Sequence, residues 1–484
     1  MTNVVLVWFR NDLRLLDNPL LHLPQVSKAA TIIGVYCFDK RFENKFSRVF
    51  RQQAIAHLSR EMNQRLDIPL LVFEGQPENI LTTIAKRFIT GGSVVCSEEV
   101  TSNELAVDRS LRKSLKVLGW SFETTWNYSL FHPADLSFDI RETASPFTSF
   151  RKDVESASTP VRMSLRVPEL SNKERVPIEG LDGLIQEAVV ASWLNEFSAS
   201  KNLYRGGEDA ALLRLEAFCS AGLATYKDTR NESLGWDYST KLSPWLAAGC
   251  ISPRTIYHRV AEYEKVHGES VHTYWVTFEL MTRDYMRFMA VKHGDAIFHE
   301  TGPAGILPNG VSWSSKNLPR MQAWKTGFTG IPWVDGHMRE MNATGYMSNR
   351  GRQNVASFLV HNLQVDWRLG SEYFEEMLVD YDVTSNWCNW AQIVGVGSRN
   401  QRVNRFNMDK QAREHDPRGL HAKTWIPELA NVDNVHDMAL RPPGVVTDGY
   451  PCPVVLLRSA KPLSTGQKHK SRAHRGKTKE FVTQ

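Results

Sequence analysis

The 484-residue sequence has few cysteines, no long hydrophobic run and no glycine-rich nucleotide fingerprint, and each absence removes a class of protein. Its six cysteines (Cys37, Cys96, Cys219, Cys250, Cys388 and Cys452) lie far apart, with no CxxC pair and no histidine at zinc-ligand spacing. That excludes a disulfide scaffold and gives no metal site, leaving the cysteines as small buried hydrophobes. The apolar run Val4 to Phe9 is too short for a signal-peptide core or a membrane span and meets Arg10, Asn11 and Asp12 at once. The expectation is a soluble, cytoplasmic protein without membrane contact. No GxGxxG follows that run, and Gly476-Lys477-Thr478 lacks the earlier glycine of a phosphate loop. A nicotinamide fingerprint and a nucleoside-triphosphatase motif are therefore both missing.

What is present begins with tryptophan and charge. Of 14 Trp, all but Trp8, Trp120 and Trp126 fall after residue 190. The formal charge of +5, from 58 Lys and Arg against 53 Asp and Glu, hints at an anionic partner. Its location weakens that hint. Residues 458–484 hold eight Lys or Arg and one acid, so residues 1–457 carry 50 basic against 52 acidic side chains. Nucleic-acid attraction would have to come from a local patch, with Arg350, Arg399, Arg402 and Arg405 as candidates, or from the tail as a salt-sensitive tether.

Along the chain, β-branched runs at Val4 to Phe9, Thr31 to Phe38, Pro69 to Phe73 and Ser93 to Cys96 alternate with polar helical stretches such as Arg51 to Asp67. This pattern predicts a Rossmann-like α/β domain with a parallel sheet over residues 1–132. A Ser- and Pro-rich connector over 133–191 leads to a mainly α-helical domain over 192–457, in which Trp275 to Phe288 and Asn349 to Trp367 show helical periodicity. Residues 458–484 read as a basic, disordered tail.

Several local patterns carry chemistry. In Ser239-Thr240-Lys241-Leu242-Ser243-Pro244, hydroxyls and a lysine lead into a helix with Ser243 as its expected N-cap and Pro244 as its first residue, a start suited to a phosphate or pyrophosphate. Glu279 and Arg283 stand four apart on one helix face beside Asp284, which alone reads as a surface ion pair. Asn349-Arg350-Gly351-Arg352-Gln353 opens an otherwise apolar helix, and Asp380, Asp382 and Asn386 follow in a turn-like stretch. Polar groups in apolar surroundings point to a lined pocket or to a buried network.

Trp8 to Arg14, Lys241 to Leu246, Glu279 to Arg283, Asn349 to Ser357 and Asn407 to Pro417 together resemble the photolyase and cryptochrome superfamily over nearly the whole chain to about residue 430. Gly351, Gln353 and Gly395-Val396-Gly397 resemble its DASH branch. The resemblance implies that the helical domain binds FAD, with Tyr226, Ser239, Thr240, Lys241, Leu242 and Ser243 around the phosphates and ribose. It implies Glu279, Arg283, Asn349 and Arg352 further in, Asp380 and Asp382 beside the isoalloxazine, and Asn386 facing flavin N5. It also implies an electron chain of Trp390, Trp367 and Trp313, and a methenyltetrahydrofolate antenna in the α/β domain. The acid meeting the pterin lies in the loop Glu98 to Glu104, with Glu99 chosen and Glu98 and Glu104 as alternatives.

Dimer-splitting members of the superfamily hold a flipped pyrimidine dimer between aromatic walls. Glu279 and Arg230 match contacts to the dimer, and Arg350 matches a phosphate contact. Thr282 and Gln392 stand where aromatic residues are expected, and Cys388 where glycine is expected. Stacking contributes roughly 1–3 kcal/mol per base. The resemblance thus implies a monomeric blue-light photoreceptor with weak repair of dimers in single-stranded DNA and a signalling partner, or else a fully active single-stranded-DNA photolyase.

Overall fold

The computed structural model describes residues 4–172, 180–195, 204–308, 313, 317–398, 403, 405–442 and 449–457. Five parallel strands, β1 (Val4–Trp8), β2 (Thr31–Phe38), β3 (Leu70–Glu74), β4 (Gly92–Ser97) and β5 (Ser121–Thr125), lie in the order β3-β2-β1-β4-β5. The central strand is buried on both faces, as expected where helices cover a parallel sheet. Val4, Leu6 and Trp8 pack with Leu81, Ile84, Leu111 and Leu115, while Val5 and Val7 pack with Phe50, Ala54 and Leu58 of the Ser47–Leu66 helix. The four predicted strands are present. β5 is an addition: its sequence, Ser-Phe-Glu-Thr-Thr, lies at the sheet edge and offers no apolar run.

The Trp8 to Arg14 motif continues from β1 into the junction with the helical unit. Gly249 sits at φ +70° so close to Asn11 that a Cβ there would lie 1.7 Å from the Asn11 carbonyl oxygen. Buried Arg14 donates to the Gly249 carbonyl at 3.0 Å, and Asp17 pairs with Arg254 at 2.8 Å. These contacts fix the two units against each other through a shared core. The connector also has structure. Its Phe147–Ser156 helix places Phe147 and Phe150 against Tyr285, with ring centroids 5.4 and 5.5 Å apart, and Ile185 donates its N–H to Val72 at the β3 edge.

In the helical unit, Trp275 to Phe288 lies within the Val271–His293 helix. The stretch Asn349 to Trp367 is not one helix. Asn349–His361 ends at Asn362, Gln364 takes φ +57°, and Asp366 caps a new helix, Trp367–Met377, by accepting the Arg368 N–H at 3.0 Å. Ser243 is the first helical residue of Ser243–Ala248, not its cap; Leu242 holds the N-cap position without a side-chain bond. Five cysteines are buried and Cys452 is half-buried, all as free thiols. Arg399, Arg402 and the tail lie outside the described residues; Arg405 is exposed. Among the described residues no helix is long and apolar enough to cross a membrane.

Candidate functional site

One cavity in the helical unit gathers most of the singled-out residues: Tyr226, Ser239, Thr240, Lys241, Leu242, Ser243, Glu279, Arg283, Asn349, Arg352, Asp380, Asp382, Asn386, Trp390 and Arg230 all line it. The loop before Ser243 owes its shape to Arg214, which donates to the carbonyls of Ser239 and Thr240 at 2.8 Å each and pairs with Asp237 at 2.7 Å. Sequence reading missed Arg214 because it acts from the Glu208–Ala221 helix, across a gap in sequence with no motif of its own.

Lys241 occupies the left-handed region at φ +56°. Its ammonium donates to Tyr238 Oη at 2.6 Å and lies 4.0 and 4.2 Å from the ring centres of Tyr238 and Tyr346. Burial pushes its pKa down to about 7, helped by the positive charges of Arg214 and Arg352 and opposed by Glu340. An anion beside it would reverse that penalty. Hydroxyls from Ser239, Thr240 and Ser243 complete a donor set suited to a diphosphate.

Deeper in, one guanidinium nitrogen of Arg352, Nη2, donates to both carboxylate oxygens of Asp380 at 3.0 and 2.7 Å, and its Nε donates to the Met347 carbonyl. Asp382 caps the Val383–Val394 helix through the Ser385 N–H at 2.7 Å. Burial opposes its ionisation, but Arg283 and Ser385 outweigh that and hold its carboxyl below the usual range. Asn386 donates Nδ2 to the carbonyl and hydroxyl of Ser371 at 3.0 and 2.9 Å, which leaves its Oδ1 for the cavity. Glu279 pairs with Arg230, whose guanidinium stacks 4.2 Å above Trp275. The expected Glu279–Arg283 pair does not form: Arg283 donates to the carbonyl of Tyr128, and Asp284 accepts the N–H groups of Leu130 and Phe131. Desolvation raises the Asp284 carboxyl to about 7 despite those bonds.

Other singled-out residues lie elsewhere. Arg350 is bonded to Asn231 and Gln353 at 3.0 Å each, outside the lining. Thr282 turns its hydroxyl back to the Phe278 carbonyl at 2.9 Å and does not line the cavity, whereas Gln392 does. Buried Cys388 rests against the Met286 carbonyl. Trp367 is fully buried, with its indole N–H on the Glu300 carbonyl at 3.3 Å, and Trp313 is half-buried.

A second cleft opens at the carboxyl ends of β1, β2 and β4, where strand order reverses and α/β folds bind ligands. Trp8, Phe9, Tyr36, Phe38 and Phe42 give it aromatic walls. Glu99 and Glu104 line it; Glu98 is exposed and does not. Glu99 sits between Arg10 at 3.9 Å and Arg287 at 3.4 Å, whereas Glu104 is held by the Thr101 hydroxyl and is raised to about 7 by desolvation and the neighbouring Glu99. Arg283, Tyr381 and Asp382 line both spaces and form a common wall.

Family models match the chain twice: DNA photolyase at residues 5–170 and the FAD binding domain of DNA photolyase at residues 275–465. Cryptochrome DASH of Synechocystis sp. is 41% identical over 446 residues, covering 89% of each chain, and that of Danio rerio is 39% identical over 481 residues, covering 94% of this chain and 90% of the other. The crystal structure of the Synechocystis sp. cryptochrome superposes with a TM-score of 0.83 at 38% identity, covering 94% of this chain and 96% of its own. An archaeal photolyase from Sulfolobus tokodaii, solved with two FAD molecules, superposes at 0.74 with 27% identity, covering 93% and 96%. With a donor set fitted to a diphosphate, an amide oxygen and a tryptophan facing the same cavity, and these relatives over nearly its whole length, the chain belongs to the DNA photolyase and cryptochrome family as an FAD-binding flavoprotein of the DASH type.

Proposed function

We propose that the protein is a blue-light receptor in which Trp313, Trp367 and Trp390 pass an electron inward to the flavin, with only weak repair of cyclobutane pyrimidine dimers in single-stranded DNA. Bound FAD supplies a chromophore that absorbs blue light and accepts an electron when excited. The observation that carries this reading is Trp390, a buried indole that is also part of the cavity wall. A Cβ on Gly370 would lie 2.4 Å from its ring, and Gly370 stands one turn from Trp367 on the same helix. The missing side chain lets Trp390 pack against the helix that carries Trp367, and half-buried Trp313 is the member with access to solvent. Trp390→Phe should abolish bleaching of the yellow absorption under blue light while flavin stays bound. Unchanged bleaching would overturn the chain.

Weak repair is supported by the mouth of the cavity. Gln392 occupies the wall, Thr282 is turned away, and Arg230 already engages Glu279. Arg230 and Arg350 favour the rival reading, a fully active photolyase, as a local cationic patch for single-stranded DNA. Illumination of the loaded protein with dimer-containing single-stranded oligonucleotide separates the two: restored thymines at many turnovers per chain would reject the receptor reading. Such a receptor acts as a cytoplasmic monomer that reports to a signalling partner, with its basic tail adding salt-sensitive attraction to nucleic acid.

The second cleft suits methenyltetrahydrofolate as an antenna, with Glu99 or Glu104 accepting from the pterin N–H groups between aromatic walls. Its common wall with the flavin cavity supports light harvesting. Mass analysis of chromophores released from the purified protein should find a folate beside FAD; a second FAD, or none, would reject it.

A further inference from the structure

Behind the flavin cavity, the Pro332–Thr344 helix carries His337 and Glu340 one turn apart, and the Leu420–Trp425 helix brings His421 to the same point. His337 Nδ1 lies 3.6 Å and His421 Nε2 lies 3.0 Å from the same carboxylate oxygen, Glu340 Oε2. All three donor atoms fall within 4.8 Å of one another. Zinc bound at about 2.0–2.2 Å to nitrogen and oxygen in a tetrahedral site sets its ligands about 3.3–3.5 Å apart, which these two separations bracket.

Two further observations point to a missing cation. His337 Nδ1, the ring nitrogen 3.6 Å from Glu340 Oε2, is buried without a hydrogen-bond partner, which is rare for interior polar atoms. Glu340 is buried, and among the described residues its ion-pair partners are these two imidazoles alone, with no Lys or Arg. A buried carboxylate is costly unless it is paired, and a bound cation would pair this one. Gly351 lets the His337 ring approach the Asn349–His361 helix, since a Cβ there would lie 2.7 Å from His337 Nδ1.

We propose that His337, Glu340 and His421 bind a zinc ion that ties the Leu420–Trp425 helix to the helix carrying His337, directly behind the start of the Asn349–His361 helix. Imidazole nitrogen with carboxylate oxygen is a zinc-type donor set. The surroundings hold the two helices in place: the Asp416 carboxylate accepts the N–H groups of His421 and Ala422 at 3.1 Å each, and Trp333 stands edge-on to His337 with ring centroids 4.4 Å apart. None of the three ligands lines the flavin cavity or the second cleft, so the ion is a strut and not a Lewis acid for substrate. The sequence gives no zinc spacing because His421 stands far along the chain from the other two.

The test is metal analysis of the full-length flavoprotein expressed with zinc and desalted. Near-stoichiometric zinc is expected, with an X-ray absorption shell of nitrogen and oxygen at about 2.0–2.2 Å and no sulfur. His421→Ala and Glu340→Gln should lose the metal, while His57→Ala, in a half-exposed His57, Glu61 and Asp209 cluster elsewhere, should keep it. Absence of stoichiometric zinc, a sulfur shell, or retention by His421→Ala would overturn the proposal. Should those variants fail to fold, the zinc content and absorption shell of the unaltered chain decide by themselves.

Discussion

The flavin cavity and the second cleft share the wall of Arg283, Tyr381 and Asp382 but leave opposite charges over. In the cavity, Asp380 is taken by Arg352, and Lys241 meets no carboxylate within ion-pair range among the described residues. In the cleft, Glu99 is taken by Arg10 and Arg287, and Glu104 meets no cation in that range among the described residues. A leftover ammonium suits a diphosphate. A leftover carboxyl, held partly protonated by burial, suits a ligand that offers N–H groups. Two ligands of different charge can therefore sit on either side of one wall without exchanging places.

The comparison can be broken most severely at Asp380. Asp380→Asn leaves Arg352 without its partner, and a buried cation stranded this way costs about 3 kcal/mol or more. Denaturant unfolding should show that loss together with loss of flavin, whereas a change near zero would mean that water already screens the pair. Next in size, Lys241→Met removes a charge-assisted contact of about 1.5–3 kcal/mol, so FAD affinity should fall by roughly tenfold to a hundredfold with folding preserved. Measured flavin-to-protein ratios would check it.

The same lysine predicts a pH effect. With its free-state pKa near 7, Lys241 is already protonated below that pH, so FAD affinity should be flat there. Above it, binding must take up a proton, and affinity should fall by up to about tenfold per pH unit. Lys241→Arg should flatten that dependence; an identical slope would assign it to another group. The smallest effect belongs to the cleft. Glu104 is raised to about 7 from an ordinary 4.5, so its contribution to stability is lost as pH rises from 4.5 through 7. Glu104→Gln should gain on the order of 1 kcal/mol above neutrality and nothing in acid, allowing for residual water access. An equal gain at both pH extremes would show packing, not ionisation, to be the cause.

Much of the sheet was legible because its central strands are unbroken apolar runs; β5 was not, since an edge strand with one exposed face can be written as Ser-Phe-Glu-Thr-Thr. The break after His361 was legible only in hindsight, in Asp366 as a cap before Trp367, because apolar periodicity runs straight across it. Lys241, Asn386 and Arg352 stand in local motifs and were found. Arg214 and Tyr346 serve the same loop from elsewhere in the chain, and Tyr238 from just before its motif, and none of the three was found.

By itself, then, the sequence determined the strands, the helix faces and the polar groups that each motif offers, since those depend on neighbours three or four residues away. Only the tertiary structure decided who meets whom: that Glu279 takes Arg230 and not Arg283, that Thr282 turns from the cavity while Gln392 lines it, and that His337, Glu340 and His421 converge. Those choices are set by desolvation and packing between distant segments, where a buried polar group takes whichever partner the fold carries within reach.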